Sequence, residues 1–159
     1  INVTLNELNK EKYKKVVILP NNDAGSDMVK EEIYCQRNSN YVIFDNLPRY
    51  EYLAFLKNCN FMIGNSSSGI IEAASFKKGV INIGRRQNKR LKTFNVISLD
   101  KLNKRNLHLP IKKIQSLKFK KRLKKVKNPY GDGMSSERII NLLLKTKIDQ
   151  KLLQKNITY

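Results

Sequence analysis

Three consecutive serines, Ser66, Ser67 and Ser68, stand between Gly64 and Gly69 in the stretch 60–90, NFMIGNSSSGIIEAASFKKGVINIGRRQNKR. Hydroxyls and backbone N–H groups at such a turn suit an oxyanion, because the first N–H groups of a following helix lack partners and its dipole is positive there. A basic loop with Arg85, Arg86, Lys89 and Arg90 follows. An arginine presents a fork of donors that matches a phosphate. Glu72 offers the opposite chemistry, since a carboxylate accepts two hydrogen bonds from a diol such as that of a ribose. Together these residues describe a phosphate-binding turn with a hydroxyl-accepting acid beside it.

Each residue also has a plain reading. Small residues at a strand-to-helix turn allow close packing, an acid in a helix's first turn suits the dipole, and an arginine in a loop can be simply solvated. Some chemistries are disfavoured outright. Neither G-x-x-x-x-G-K-[ST] nor G-x-G-x-x-G occurs. Ser66 lacks the second glycine of a G-x-S-x-G elbow, Ser68 standing in its place, which argues against a serine hydrolase. The single histidine, His108, lies beside Leu109 and Pro110, away from the turn, and reads as structural or exposed. Cys35 and Cys59 show no metal-ligand spacing, so neither a metal nor a cofactor is expected.

The flanking elements must carry these loops to one place. Thr4 and Glu7 have capping-box spacing, which predicts a first helix over 5–13. KKVVILP (14–20) has the continuous apolar centre of a strand buried on both faces. A turn-rich link, NNDAGS, leads to a helix over 27–36, with Val29 and Ile33, and Met28 and Cys35, spaced for one face. YVIF (41–44) is a second strand. Pro48 then opens a helix over 50–58 whose apolar side is Tyr50, Leu53, Ala54 and Leu56. Within the central stretch the pattern predicts a strand over 61–63, a helix over 70–76 and a strand over 80–83. A last strand over 95–99 follows, with Asp100 capping a short helix. Strands alternating with helices through short links imply parallel strands with right-handed crossovers, hence a layered α/β fold. Ligands of such sheets bind beyond the carboxyl ends of the strands. The serine turn and the basic loop both lie at such ends, and that places them on one edge.

The remainder reads as support. A helix over 111–126 would turn Ile111, Ile114, Leu117 and Leu123 inward. NPYGDGM (128–134) is a loop, and a closing helix over 135–153, capped by Ser135 or Ser136, carries Ile139, Ile140, Leu142, Leu143 and Leu144 on a broad apolar face.

At 159 residues the chain is one domain's worth. No apolar run approaches the roughly 18 residues that span a bilayer, so no membrane partner is expected. The N-terminal INVTLNELNK lacks the charged-then-apolar order of a secretion signal, and with two free thiols a cytoplasmic location is expected. A net charge of +19 suggests nucleic acid or another polyanion. Yet the lysines are dispersed with few aromatics among them, and only KFKKRLKKVK (118–127) is dense. Richness in Lys, Asn and Ile also follows from nucleotide bias in a gene. A basic nucleic-acid-binding module therefore stands only as a rival reading.

GNSSSGIIEA (64–73), VINIGRRQNKR (80–90) and NVI (95–97), in that order, resemble the UDP-N-acetylglucosamine 2-epimerase family, in particular its hydrolysing branch of sialic-acid and nonulosonic-acid synthesis. PNNDAGS (20–26), LPRYEYLAFLKN (47–58, against an LPxxxFLxLL pattern) and NPYGDG (128–133) extend the likeness over nearly the whole chain. The resemblance implies a Rossmann-like three-layer α/β/α domain with a parallel sheet. This would be the second half of a GT-B-like two-domain enzyme, forming a single nucleotide-sugar-binding domain over 1–159 without its N-terminal half. It implies that Ser66, Ser67 and Gly69 contact the diphosphate of UDP with Ser68 beside them, that Glu72 takes the ribose hydroxyls, and that Arg86 sits near the phosphates. The chain around Phe44 and Leu47 would lie against uracil. The family reaction eliminates UDP to a 2-acetamidoglucal and adds water with inversion at C2, giving N-acetylmannosamine from UDP-N-acetylglucosamine. Its catalytic acids belong mainly to the first half, so this chain alone is expected to be inactive, with homo-oligomers formed at full length. Where the family has Gly-x-Pro, this chain has Lys77-Lys78-Gly79, for which only local change is expected. Relatives acting on GDP-sugars or diacetamido sugars share these motifs, and half of a GT-B glycosyltransferase is the second rival.

Overall fold

The computed structural model describes residues 1–21, 24–102 and 107–154, the side chain of Lys151 excepted. The chain divides into two compact units, Ile1–Pro129 and Tyr130–Tyr159. The first unit runs α1 (Asn2–Asn9), β1 (Lys15–Ile18), α2 (Ser26–Gln36), β2 (Tyr41–Phe44), α3 (Arg49–Asn58), β3 (Phe61–Gly64), α4 (Ser68–Ile71), β4 (Gly79–Ile83), β5 (Val96–Leu99), α5 (His108–Gln115) and α6 (Leu117–Leu123). Every ladder is parallel, as the alternation predicts, but hydrogen bonding divides them into two sheets among the described residues. β1 pairs with β2, from Lys15 against Tyr41 to Ile18 against Phe44. β4 lies between β3 and β5, with Phe61 against Gly79 and Val80 against Val96.

Alternation along β4 assigns its two faces. Ile81 points into a cluster with Leu107, Ile111, Ile114, Phe119 and Leu123 from α5, α6 and the turn before them. Val80 points the other way, onto Leu56 of α3 and Ala73 after α4, with Tyr52, Leu53 and Met62 at the margin. The three-stranded sheet is thus the middle of an α/β/α sandwich. The first sheet packs α1 and α2 on one face, through Leu5, Leu19 and Ile33. Its other face is open: Val16, Ile18 and Val42 are each about two-fifths exposed (41%, 39% and 43%). The apolar run of β1 is therefore buried on one face and not on both.

Several local expectations need correction. α1 begins at Asn2, so Thr4 and Glu7 are buried inside the helix and form no capping box, and Glu7 pairs with Lys10 instead. On α2, Val29 and Ile33 face inward while Met28 and Cys35 are exposed. On α3, Leu56 is buried and Tyr52 and Leu53 flank it, whereas Tyr50 and Ala54 face solvent. The single helix expected over 111–126 is two. Ser116 is extended (ψ 145°) and its hydroxyl accepts from Phe119 N–H, capping α6 and resetting the phase. Phe119 is buried as a result and Leu117 is 77% exposed. Asp100 pairs with Arg85 at 3.6 Å. The helix expected after it falls partly on residues 103–106, outside the described residues, as Asn22 and Asp23 of the NNDAGS link also are.

Gly79, the last residue of the Lys77-Lys78-Gly79 departure, opens β4 in a tightly packed position. A Cβ there would stand 2.5 and 2.6 Å from Ile114 Cγ1 and Cδ1, so α5 presses directly on the start of β4. Lys77, two residues earlier, takes a left-handed φ of 56°. The second unit consists of the Gly-rich loop, α7 (Ser135–Lys145) and α8 (Gln150–Leu153). Met134 occupies the cap position of α7 without a side-chain bond, in place of Ser135 or Ser136. The expected long helix stops at Thr146, which leaves the helical region (ψ 118°), and Asp149 caps the next turn. The α7 residues Ile139, Ile140, Leu142, Leu143 and Leu144 are all exposed. No helix among the described residues is long and apolar enough to cross a membrane.

Candidate functional site

Parallel strands send all their carboxyl ends the same way, and in this chain polar side chains tie the exits of four strands to one another. Arg49, at the start of α3 after β2, pairs through Nη2 with Glu72 Oε1 at 2.8 Å, just past α4. Gln87, in the loop leaving β4, donates from Nε2 to the carbonyl of Asn65 after β3 at 3.0 Å. Arg85 in the same loop meets Asp100 at the end of β5. The edge named by the sequence is therefore a continuous rim.

The serine turn is shorter and tighter than its expected form. α4 is a single helical turn starting at Ser68, not a helix over 70–76, and Glu72 lies at its C-terminal end, not in its first turn. Ser66 is exposed, Ser67 and Ser68 are half-buried, and Gly69 is buried. The Ser66 hydroxyl accepts from Ser68 N–H at 3.3 Å, and the Ser66 carbonyl accepts from Gly69 N–H at 3.3 Å. A Cβ on Gly69 would lie 2.9 Å from Val80 Cγ1 and 3.4 Å from Met62 Sδ. Close approach of the turn to the sheet thus requires glycine there, whatever else its N–H does.

Ser68 turns away from the other two serines. Its hydroxyl donates to Glu72 Oε2, and Tyr52 Oη, from α3, hydrogen-bonds the same Ser68 oxygen. The carboxylate of Glu72 is consequently held at both oxygens, by Ser68 on one and Arg49 on the other. Four lone-pair positions leave it room for further donors. Burial raises the pKa of the Tyr52 phenol, so it stays a donor at neutral pH.

The loop leaving β4 turns at Gly84, whose φ of +81° few side chains adopt. Arg85 and Arg86 are exposed on this loop. Gln87 is 3% exposed, and its Oε1 has no partner within the described residues. Phe44 ends β2 and packs against Phe55 of α3, ring centroids 5.6 Å apart and planes tilted by 49°, while Leu47 is half-buried in the β2–α3 link. Ser66, Ser67, Ser68, Gly69, Glu72 and Arg86 all lie on the rim, on loops stapled together. Phe44 and Leu47 lie at the exit of β2, joined to the rest through Arg49. His108 starts α5 and is exposed.

Arg49, Tyr52 and Gln87 are functional candidates that the spacing of residues did not single out. Arg49 had one available signal, a basic residue directly after the helix-opening Pro48. Tyr52 and Gln87 had none, because their partners lie on other elements. A shallow open depression bounded by Tyr34, Arg37, Asn38, Tyr41 and Ile43 opens at the amino end of β2, away from the rim, and none of those residues is an acid or a serine.

Comparison with known proteins bears on the family and the fold. The family model described as UDP-N-acetylglucosamine 2-epimerase matches residues 1–144. The chain is 37% identical over 145 residues, 91% of its length, to a hydrolysing UDP-N,N′-diacetylbacillosamine 2-epimerase of Legionella pneumophila. It is 39% identical over 160 residues, 98% of its length, to a hydrolysing GDP/UDP-N,N′-diacetylbacillosamine 2-epimerase of Campylobacter jejuni. It spans 37% and 41% of those relatives' own lengths. In fold it is similar to the crystal structure of UDP-GlcNAc 2-epimerase from Neisseria meningitidis bound to UDP-GlcNAc, with TM-score 0.69 and 17% identity over 91% of this chain and 41% of that one. A 2-epimerase structure from Listeria monocytogenes aligns with TM-score 0.70 and 15% identity, covering 90% of this chain and 39% of that one.

Proposed function

The chain belongs to the UDP-N-acetylglucosamine 2-epimerase family, and on that footing we propose that it is the nucleotide-sugar-binding domain of a hydrolysing 2-epimerase. The diphosphate of UDP lies over Ser66, Ser67 and the Gly69 turn, and Arg86 closes on it from the loop after β4. The ribose hydroxyls donate to Glu72, and uracil lies against the chain at Phe44 and Leu47. The supporting observation is that Arg49–Glu72, Gln87–Asn65 and Arg85–Asp100 link the exits of β2, β3, β4 and β5, so the loops that bear Glu72, the serines and Arg86 neighbour one another.

The whole enzyme eliminates UDP from a 2-acetamido sugar and adds water to the resulting glucal, releasing the sugar inverted at C2. The two relatives above, which match 91% and 98% of this chain, are named for N,N′-diacetylbacillosamine, which favours a diacetamido sugar over N-acetylglucosamine as substrate. The catalytic acids belong to an N-terminal domain of the same enzyme, the full-length protein is a homo-oligomer of the reducing cytoplasm, and this chain alone turns nothing over.

Titration calorimetry with UDP tests the site. Hydrogen bonds to charged groups contribute about 1.5–3 kcal/mol, so Glu72→Ala and Arg86→Ala are each expected to weaken binding by roughly 10- to 100-fold. A well-folded chain with undetectable UDP affinity, or two variants that bind as tightly as the parent, would overturn the assignment.

A further inference from the structure

Ser68, the last of the three serines of the expected phosphate turn, is committed elsewhere. Its one hydroxyl proton goes to Glu72 Oε2, because a carboxylate only accepts. Tyr52 must then donate to the Ser68 oxygen, which sets a directed chain from phenol to hydroxyl to carboxylate. Ser68 and Glu72 are four residues apart across the single turn of α4, so they share a face. The Tyr52 ring is anchored in the apolar cluster of Leu56, Ala73 and Val80 between α3 and the sheet, which fixes where its hydroxyl sits. Hydrogen bonds in series polarise and strengthen one another.

The other carboxylate oxygen faces a different force. Arg49 is 73% exposed by side chain, against 19% for Glu72, and pulls the acid toward the rim. An exposed ion pair holds a side chain only loosely. The half-buried Tyr52–Ser68 pair is the fixed anchor, and Arg49 is the movable one.

We propose that Tyr52 and Ser68 are positioning residues that set the Glu72 carboxylate for the 2′- and 3′-hydroxyls of a ribonucleoside diphosphate, and that Ser68 is not a phosphate ligand. The selectivity of the site for ribose over deoxyribose therefore depends on the phenol hydroxyl of Tyr52. This rests on the reading of Glu72 as the ribose acceptor.

Calorimetry with UDP and with 2′-deoxy-UDP, on the parent chain and on Tyr52→Phe, Ser68→Ala and Glu72→Ala, tests it. The ratio of the two Kd values is the readout, since a general loss of packing would weaken both ligands together. The parent is expected to prefer UDP on the order of tenfold, the worth of one hydrogen bond to a charged group. Tyr52→Phe and Ser68→Ala are each expected to reduce that preference to twofold or less, with a smaller weakening of 2′-deoxy-UDP, which has only its 3′-hydroxyl to lose from Glu72. A Tyr52→Phe chain that keeps the full preference overturns the proposal while leaving Glu72 in place. A parent with no preference, or a Glu72→Ala chain that keeps it, removes the ribose reading and the proposal with it. Ser68→Ala is the second route to the same answer should Tyr52→Phe loosen α3: a preserved ratio in that variant is equally fatal.

Discussion

Cys59 and Cys35 carry the same thiol in opposite surroundings. Cys35 is exposed on α2, whereas Cys59 is half-buried after α3, its Sγ 3.3 Å from the Leu56 carbonyl. Burial pushes the Cys59 pKa up, and the Lys78 ammonium only partly opposes it. A group with a raised folded pKa stabilises the fold fully below its unfolded value, near 8.5 for a thiol, and loses that contribution as pH rises through the folded value. The nucleophile is the thiolate, so at about pH 8 iodoacetamide is expected to label Cys35 at least roughly tenfold faster than Cys59. Denaturant should equalise the rates; equal rates in the folded chain would contradict the burial. Reactive residue types at the rim were legible in the sequence because serines, an acid and arginines announce themselves by chemistry. Tyr52, Arg49 and Gln87 were not, because their roles come from partners on other elements, brought within reach only by the fold.

Between α5 and α6 a single hydroxyl decides an element. Ser116 leaves the helical region and caps the next helix, and without that cap the Phe119 N–H loses its acceptor. Ser116→Ala is expected to cost about 1 kcal/mol, a fall in Tm of roughly 2–4 °C for a chain of this size, while Ser116→Asp restores it. A thermal melt unchanged by Ser116→Ala would mean that packing alone sets the break. Gly79→Ala places a methyl into Ile114 and should cost about 1–3 kcal/mol; a variant as stable as the parent in urea would show that α5 yields freely. Strand and helix types in the first unit were readable from apolar period and turn residues, and α2, α3 and β2 to β5 fall within a residue or two of their expected bounds. Helix phase was less readable. Leu117 and Phe119 are equally apolar in the sequence, and only the cap at Ser116 chooses which is buried. The open face of β1 and β2 was illegible for a related reason: an apolar strand states what it can bury, not what covers it.

Charge is the property that belongs to the whole molecule. The chain carries +19, and residues 101–131 contain no Asp or Glu at all. Lys112, Lys113, Lys118, Lys120 and Lys121 line the outer sides of α5 and α6, exposed while Ile111, Ile114 and Phe119 go inward. Like charges gathered on a compact body repel, so folding brings them closer at a cost that mobile ions reduce. The Debye length shortens from about 30 Å at 0.01 M salt to about 10 Å at 0.1 M. The Tm is therefore expected to rise by a few degrees over that range in sodium chloride, with no matching rise in an equal concentration of neutral sugar. UDP affinity should move in the opposite direction over the same range, because the ions that relieve repulsion among lysines also screen Arg86 from the diphosphate. A Tm that stays level or falls would show that repulsion is not what limits this fold. Affinity that survives salt unchanged would place the binding energy in the ribose and uracil contacts and not in the phosphates.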